Sequence, residues 1–310
     1  MRHGPAVGAG EAPLDEQPLE RVNQPTSFWR GFIPTVRDVW AYRELLGQLI
    51  RKELKVKYKD SILGFFWTLL RPLLYLLVYA VAIGIFLGSG KVIPQFGIYL
   101  FTGLLAWTLF TDIIGGATGS IVGNAGLVKK VYFPRELFPL AVVGAALINF
   151  LLQAAILVLA YVATWSFPSP ADLPLVPIAL VALILFATGL GLLLAAGNVF
   201  LRDITYLVEV GLLLWFWMTP IVYDWTKVKN TLSGDLAWLF EVYLANPMAT
   251  IVLAFQRALW PGGQTEAGAA FYYDGNLYGR LAVVIVVGAA FVWFSQRVFA
   301  RSQGNFAQEL

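Results

Sequence analysis

The chain has 310 residues, 58% hydrophobic and 13% charged, and the charged share is about half that of a soluble domain. With mean hydropathy +0.70, no Cys and a lone His3, a water-soluble core, a disulfide framework and a metal centre are all unexpected. The net charge of +3 does not point to nucleic acid, because the basic residues cluster beside apolar stretches, where orientation in a membrane accounts for them.

Residues 1–34 are rich in Gly, Pro, Glu and Gln without apolar periodicity. They read as a disordered tail, and no charged start, apolar run and small-residue cleavage site marks a signal peptide. Residues 35–60 then read as an amphipathic interface helix. Within 36–59, Arg37, Glu44, Gln48, Arg51, Lys52, Lys55 and Lys59 share one face, and Val39, Tyr42, Leu46, Leu49, Ile50 and Val56 the other. Glu53 and Lys57 interrupt the apolar face at a spacing that lets them pair.

Residues 61–310 hold six stretches of a length that crosses a bilayer core, about 20 helical residues: Ile62 to Leu87, Gly97 to Val122, Leu137 to Trp165, Pro174 to Phe200, Ile204 to Tyr223 and Gly279 to Phe299. Ten Lys and Arg precede the first stretch; Lys129, Lys130, Arg135, Arg202, Arg297 and Arg301 fall on the same side. The opposite side has Lys91, Lys227, Lys229, Arg257 and Arg280. The positive-inside rule therefore places both termini in the cytoplasm.

Of the outer loops, only Asp224 to Tyr278 is long enough to hold structure. Leu236 to Leu244 is apolar, and Asn246-Pro247 reads as an N-cap with Pro at the first helical position. A second helix then runs to Leu259, where Trp260-Pro261-Gly262-Gly263 stops it. Both arms are too short to span, so residues 236–260 are expected to form a helical hairpin in a re-entrant or interfacial position. In that arrangement Trp238, Leu239, Val242, Ile251, Leu253 and Phe255 cover the external mouth as a gate.

Arg71 and Asp112 fall inside the first two stretches, each about 14 Å from the basic boundary at 1.5 Å per residue. Charges at that depth are costly unless paired or facing water, so an Arg71–Asp112 pair is expected, with snorkelling of Arg71 as the alternative. Trp67, Tyr75, Tyr79, Trp107 and Phe110 offer rings for stacking on sugar faces along a channel. Packing against lipid accounts for the same rings. Asn149, Gln153 and Glu209 are further intramembrane polar residues of unassigned face.

No catalytic site is legible. The segment Gly84 to Lys91 lacks the first Gly and the final Ser or Thr of a phosphate-binding loop, with Ile85 and Val92 at those places. Transport driven by ATP therefore requires a second polypeptide to bind the nucleotide. The outer carboxylates Asp224, Asp235, Glu241 and Asp274 are too scattered for a glycosyltransferase or ligase.

Four blocks carry a family resemblance. They are Arg51-Lys-Glu-Leu-Lys-Val-Lys-Tyr-Lys-Asp-Ser-Ile-Leu-Gly-Phe-Phe-Trp67 with Arg71-Pro72-Leu73; Asn124 to Pro139; Phe200-Leu-Arg-Asp203 with Thr219-Pro220-Ile-Val-Tyr223; and Asn246-Pro247 with Phe255-Gln-Arg257. Together they resemble the permease subunits of ABC exporters for O-antigen, teichoic acid and related polysaccharides. The resemblance implies an all-α homodimer in the cytoplasmic membrane, working with two copies of a separate nucleotide-binding protein. It also implies that ATP and Mg reside on that partner, with no cofactor on this chain, and that a lipid-linked polysaccharide passes between the permeases. By position, Leu127, Val128, Lys129, Lys130, Val131, Tyr132 and Phe133 resemble the coupling helix that enters a groove of the ATPase. The helix bearing Arg51, Glu53, Lys55 and Lys57 resembles the interface helix, and the outer pair with Asn246 and Pro247 the external gate. An exporter of a small lipid or drug would share this topology.

Overall fold

The computed structural model describes residues 32–57, 66–131, 133–273 and 275–310, and no strand occurs among them. Most of the expected tail, 1–31, lies outside the described residues, as do Tyr132 and Asp274. The first helix, α1 (Phe32–Ala41), starts before residue 35, and a turn at Tyr42 separates it from α2 (Arg43–Lys57). The single interface helix expected from the sequence is thus two.

Next comes α3 (Phe66–Tyr79), which continues as a π-helical segment over Ala80–Phe86. Gly88, at φ 77°, supplies the left-handed residue that precedes α4 (Ser89–Val92). The long helix α5 (Phe96–Gly123) leads into the short α6 (Ala125–Lys130), and α7 (Leu137–Thr164) and α8 (Leu175–Phe200) follow. Beyond them are α9 (Ile204–Trp217), α10 (Trp225–Thr231), α11 (Ala237–Leu244) and α12 (Pro247–Leu259). The chain closes with α13 (Leu277–Ser302) and α14 (Phe306–Glu309).

Five helical stretches among the described residues are long and apolar enough to cross a membrane: Leu69–Phe86, Phe96–Gly123, Leu137–Thr164, Leu175–Phe200 and Leu277–Asn305. The fifth stretch expected from the sequence is shorter, because α9 stops at Trp217 instead of Tyr223. Pro220 disfavours the helical region for Thr219 and has no N–H to continue the ladder. At 14 residues α9 is about 21 Å long, short of a core of about 30 Å.

At the centre stands α5, which packs on α7, α8, α9 and α12. Most of its circumference is apolar, as suits a helix surrounded by others, apart from the strip bearing Thr108, Thr111 and Asp112, and Leu100, Phe110, Ile113 and Ile121 are fully buried. Small residues let helices approach closely: a Cβ on Gly189 of α8 would stand 2.9 Å from the Phe291 ring of α13. The bundle has a basic end, with Lys129, Lys130, Arg135 and Arg301, and a hairpin end, where α11 and α12 meet at 81°.

Candidate functional site

One face of α2 carries Leu45, Leu46, Leu49 and Ile50 into an apolar cluster with Val128, Phe138 and Phe306. Gly144 of α7 permits this docking, since a Cβ there would stand 2.5 Å from Ile50 Cδ1. The far end of α2 consequently comes alongside α5. Lys57 Nζ lies 3.1 Å from Asp112 Oδ2, eleven residues and about 16 Å from the end of α5.

This corrects two pairings. Asp112 takes Lys57 as its cation, not Arg71, because α2 supplies a charge that span-by-span depth counting omits. Glu53 pairs with Lys52 at 3.2 Å instead of with Lys57, and Lys52 also donates to Asn124 Oδ1. An exposed i,i+4 pair contributes only about 0.2–0.5 kcal/mol, so the part-buried Asp112 competes successfully for Lys57. Arg51 and Lys55 remain exposed.

Two adjoining cavities of about 360 and 310 Å³ flank the Lys57–Asp112 pair, and Lys57, Arg71 and Asp112 line both. Glu53, Thr111 and Asn149 complete the first; Trp67, Thr108 and Gln153 complete the second. Asn149 is 2% exposed. Its Nδ2 faces Asp112 Oδ2 at 3.5 Å, while its Oδ1 has no partner. Arg71 is exposed and joins no ion pair among the described residues. The sequence singles out Glu53, Lys57, Trp67, Arg71, Asp112, Asn149 and Gln153 separately; the fold gathers them, with Thr108 and Thr111, into one cleft between α2, α3, α5 and α7.

At the basic end α6 projects Leu127, Lys129 and Lys130 outward and anchors itself through Val128, which is buried. The helix covers Ala125–Lys130, so the expected coupling segment 127–133 is helical only in its first part; Val131 is exposed, and Phe133 packs on Phe138 with ring centroids 5.3 Å apart. Below α6, Arg135 donates to the Gln303 carbonyl and lies 6.0 Å from the Phe306 ring. Glu136 is buried and accepts from Gln296 Nε2 at 3.4 Å, and its burial pushes the carboxyl above the usual range. The C-terminal turn thus braces α6, a role that sequence reasoning missed. Phe306 and Leu310, apolar at i,i+4 in a polar tail, were the available signal.

The hairpin end is held together by capping and ion-pair contacts. Asn246 caps α12 by accepting from Met248 N at 3.0 Å and from Trp215 Nε1 at 2.8 Å, and it donates to the Met218 carbonyl at 3.2 Å. Pro247 occupies the first turn. Ile251, Leu253 and Phe255 are buried, with α12 packed on α5 and α8. The apolar face of α12 thus packs as bundle core, whereas on α11 Trp238 and Val242 are exposed and Leu239 is half-buried. Arg257 Nε lies 3.1 Å from Asp172 Oδ1, and Tyr272 donates to the same carboxylate. Burial and that carboxylate push the Tyr272 phenol up to about 12.

Of the expected channel rings, Trp107 and Phe110 are core residues, packed with Phe186, Trp215 and Phe216 at centroid distances of 5.3–6.2 Å. Tyr79 stacks on Phe216 at 5.6 Å. Trp67 and Tyr75 are exposed. Asp224 caps α10 and Glu241 pairs with Arg280 at 2.7 Å, which occupies two of the scattered outer carboxylates structurally.

Residues 44–260 match the ABC-2 type transporter family. The chain is 30% identical over 280 residues to the O-antigen export system permease protein RfbA of Myxococcus xanthus, a match covering 90% of this chain and 100% of that protein. It is 28% identical to the protein of the same description from Klebsiella pneumoniae, covering 86% and 95%. To the polysialic acid transport protein KpsM of Escherichia coli it is 22% identical, covering 72% and 84%. The family match runs from α2 to just past α12 and takes in the cleft, the basic end and the hairpin: the chain is a multi-pass membrane protein and belongs to the ABC-2 type transporter family.

Proposed function

We propose that the chain is the permease of an ATP-driven exporter that moves a lipid-linked polysaccharide out across the cytoplasmic membrane. The match along the whole length of an O-antigen export permease carries this reading. In this arrangement the basic end faces the cytoplasm, as the distribution of Lys and Arg favours. The partner ATPase docks on α6, where Leu127, Lys129, Lys130 and Val131 present a small basic and apolar surface. ATP and Mg belong to that partner.

A second copy of the chain completes the transport path. Support comes from α9, which is too short to span unaided and exposes Tyr206, Leu207, Val210, Leu213, Leu214 and Trp217 along one side. Covering that face and the exposed Leu73, Leu74, Leu77 and Val78 of α3 gives the homodimer an apolar seam.

Deletion of the gene tests the function. Surface polysaccharide should disappear while lipid-linked polymer accumulates inside, and the wild-type gene should restore export only beside a hydrolysis-competent ATPase. Normal surface polymer in the deletion strain would overturn the reading.

A further inference from the structure

We infer that the cleft around Lys57, Arg71 and Asn149 is the binding site for the phosphorylated sugar at the lipid end of the cargo. The inference rests on the export reading and adds where, and by which chemistry, the chain holds its substrate. Polar side chains at this depth in a bundle are costly to insert and point to an interior polar path. Here five of them, Lys57, Arg71, Asp112, Asn149 and Gln153, line two joined cavities.

The charges specify an anion. Asp112 is neutralised by Lys57 at 3.1 Å and Glu53 is engaged by Lys52 at 3.2 Å. Of the two cations that line the cavities, Arg71 is then the one that joins no ion pair among the described residues. A guanidinium presents a planar fork of donors that matches phosphoryl oxygens two at a time. Lys57, lining both cavities, lies on the same space.

An anion alone does not satisfy the site. Asn149 Oδ1 is buried, lacks a donor and belongs to a residue lining the first cavity. Reversing the amide does not supply a donor, because its oxygen would then face the Asp112 carboxylate. An ionised phosphate has no proton to offer this acceptor, whereas a sugar hydroxyl does. Thr108, Thr111 and Gln153 add further hydroxyl-compatible groups, and Trp67 at the edge of the second cavity has a ring face for a sugar. The ligand that meets all of these is a phosphoryl group joined directly to a carbohydrate. The cavities, about 360 and 310 Å³, lie in the range that accepts a small ligand.

The test uses the full permease–ATPase complex in nanodiscs and measures equilibrium binding of four probes. These are a short-chain polyprenyl diphosphate carrying one N-acetylglucosamine, the same lipid diphosphate without sugar, an uncharged alkyl glucoside, and inorganic diphosphate. The wild type should bind the sugar-bearing diphosphate most tightly, and inorganic diphosphate at equal concentration should not displace it. Arg71→Gln should weaken both lipid diphosphates by about tenfold or more and leave the alkyl glucoside unchanged, with Arg71→Lys in between. Asn149→Leu should reduce the sugar-bearing lipid to the affinity of the sugar-free one. Because Asn149 is buried, the exposed Arg71→Gln decides the outcome if Asn149→Leu misfolds.

Tight wild-type binding that Arg71→Gln leaves unchanged would overturn the site and leave the export reading intact. Displacement by inorganic diphosphate at equal concentration would overturn the lipid source of the phosphate. A wild-type complex that binds no probe would overturn the site together with the lipid-linked substrate.

Discussion

At the hairpin end, polar groups are joined to one another: Asp172 takes Arg257 and Tyr272, Asn246 takes Met248 N and Trp215, and Gln256 Nε2 donates to the Pro220 carbonyl at 2.9 Å. In the cleft between α2, α3, α5 and α7, the Lys57–Asp112 pair is made while Asn149 Oδ1 is left without a donor. A buried acceptor without a partner costs about 1–3 kcal/mol. The bundle therefore closes one polar region upon itself and leaves binding capacity in the other. Substitutions in the first should act on stability, and those in the second on transport.

The largest expected stability effect is at Asn246. Asn246→Ala removes a helix cap worth about 1 kcal/mol and strands Trp215 Nε1, which adds about 1–3 kcal/mol. Thermal unfolding in detergent should show a clear drop, and Asn246→Asp, which keeps the acceptor, a smaller one. Equal stability of all three proteins would remove the structural role of the hairpin network. Next in size is the docking of α2: Gly144→Leu should overpack against Ile50 and destabilise by about 1–3 kcal/mol. Adding Ile50→Ala should recover part of this in the same assay, and no recovery would place α2 elsewhere.

In the cleft the stability effects are smaller. The Lys57–Asp112 pair is partly exposed, and such pairs are worth about 0–1 kcal/mol. Its signature is in a double-mutant cycle on export. Lys57→Asp with Asp112→Lys should restore part of the export lost in each single variant, whereas exchanging Arg71 with Asp112 should not. Rescue by the second exchange alone would reinstate the Arg71–Asp112 pairing. The smallest effect belongs to the exposed Trp238 of α11, where Trp238→Ala should change stability by less than about 0.5 kcal/mol.

The legible parts of the fold were those with local causes. Asn246-Pro247 and Trp260-Pro261 marked both ends of α12, because capping and Pro chemistry act within a turn. The long apolar runs gave α5, α7, α8 and α13 within a few residues. Pro220, part of a family motif, also carried the signal that shortens α9. Burial within the most uniformly apolar helices was not legible: Phe110 of α5 and Leu183 of α8 are fully buried, and a helix with so little polar face does not announce which side meets lipid. The Lys57–Asp112 contact joins residues 55 positions apart and depends on where α2 docks. Counting depth along separate spans omits α2 and so selects Arg71 instead.

The coupling of this chain to a separate ATPase is the claim on which the account depends. It is tested most directly by reconstituting the partner ATPase in nanodiscs with wild-type chain or with Lys129→Glu/Lys130→Glu, and measuring ATP hydrolysis. The account predicts that wild-type chain retains the ATPase and changes its turnover when a lipid-linked polymer is supplied. The double variant should insert and dimerise normally yet lose both effects. ATP hydrolysis that is identical with the wild-type chain, with the variant and with empty nanodiscs would contradict it.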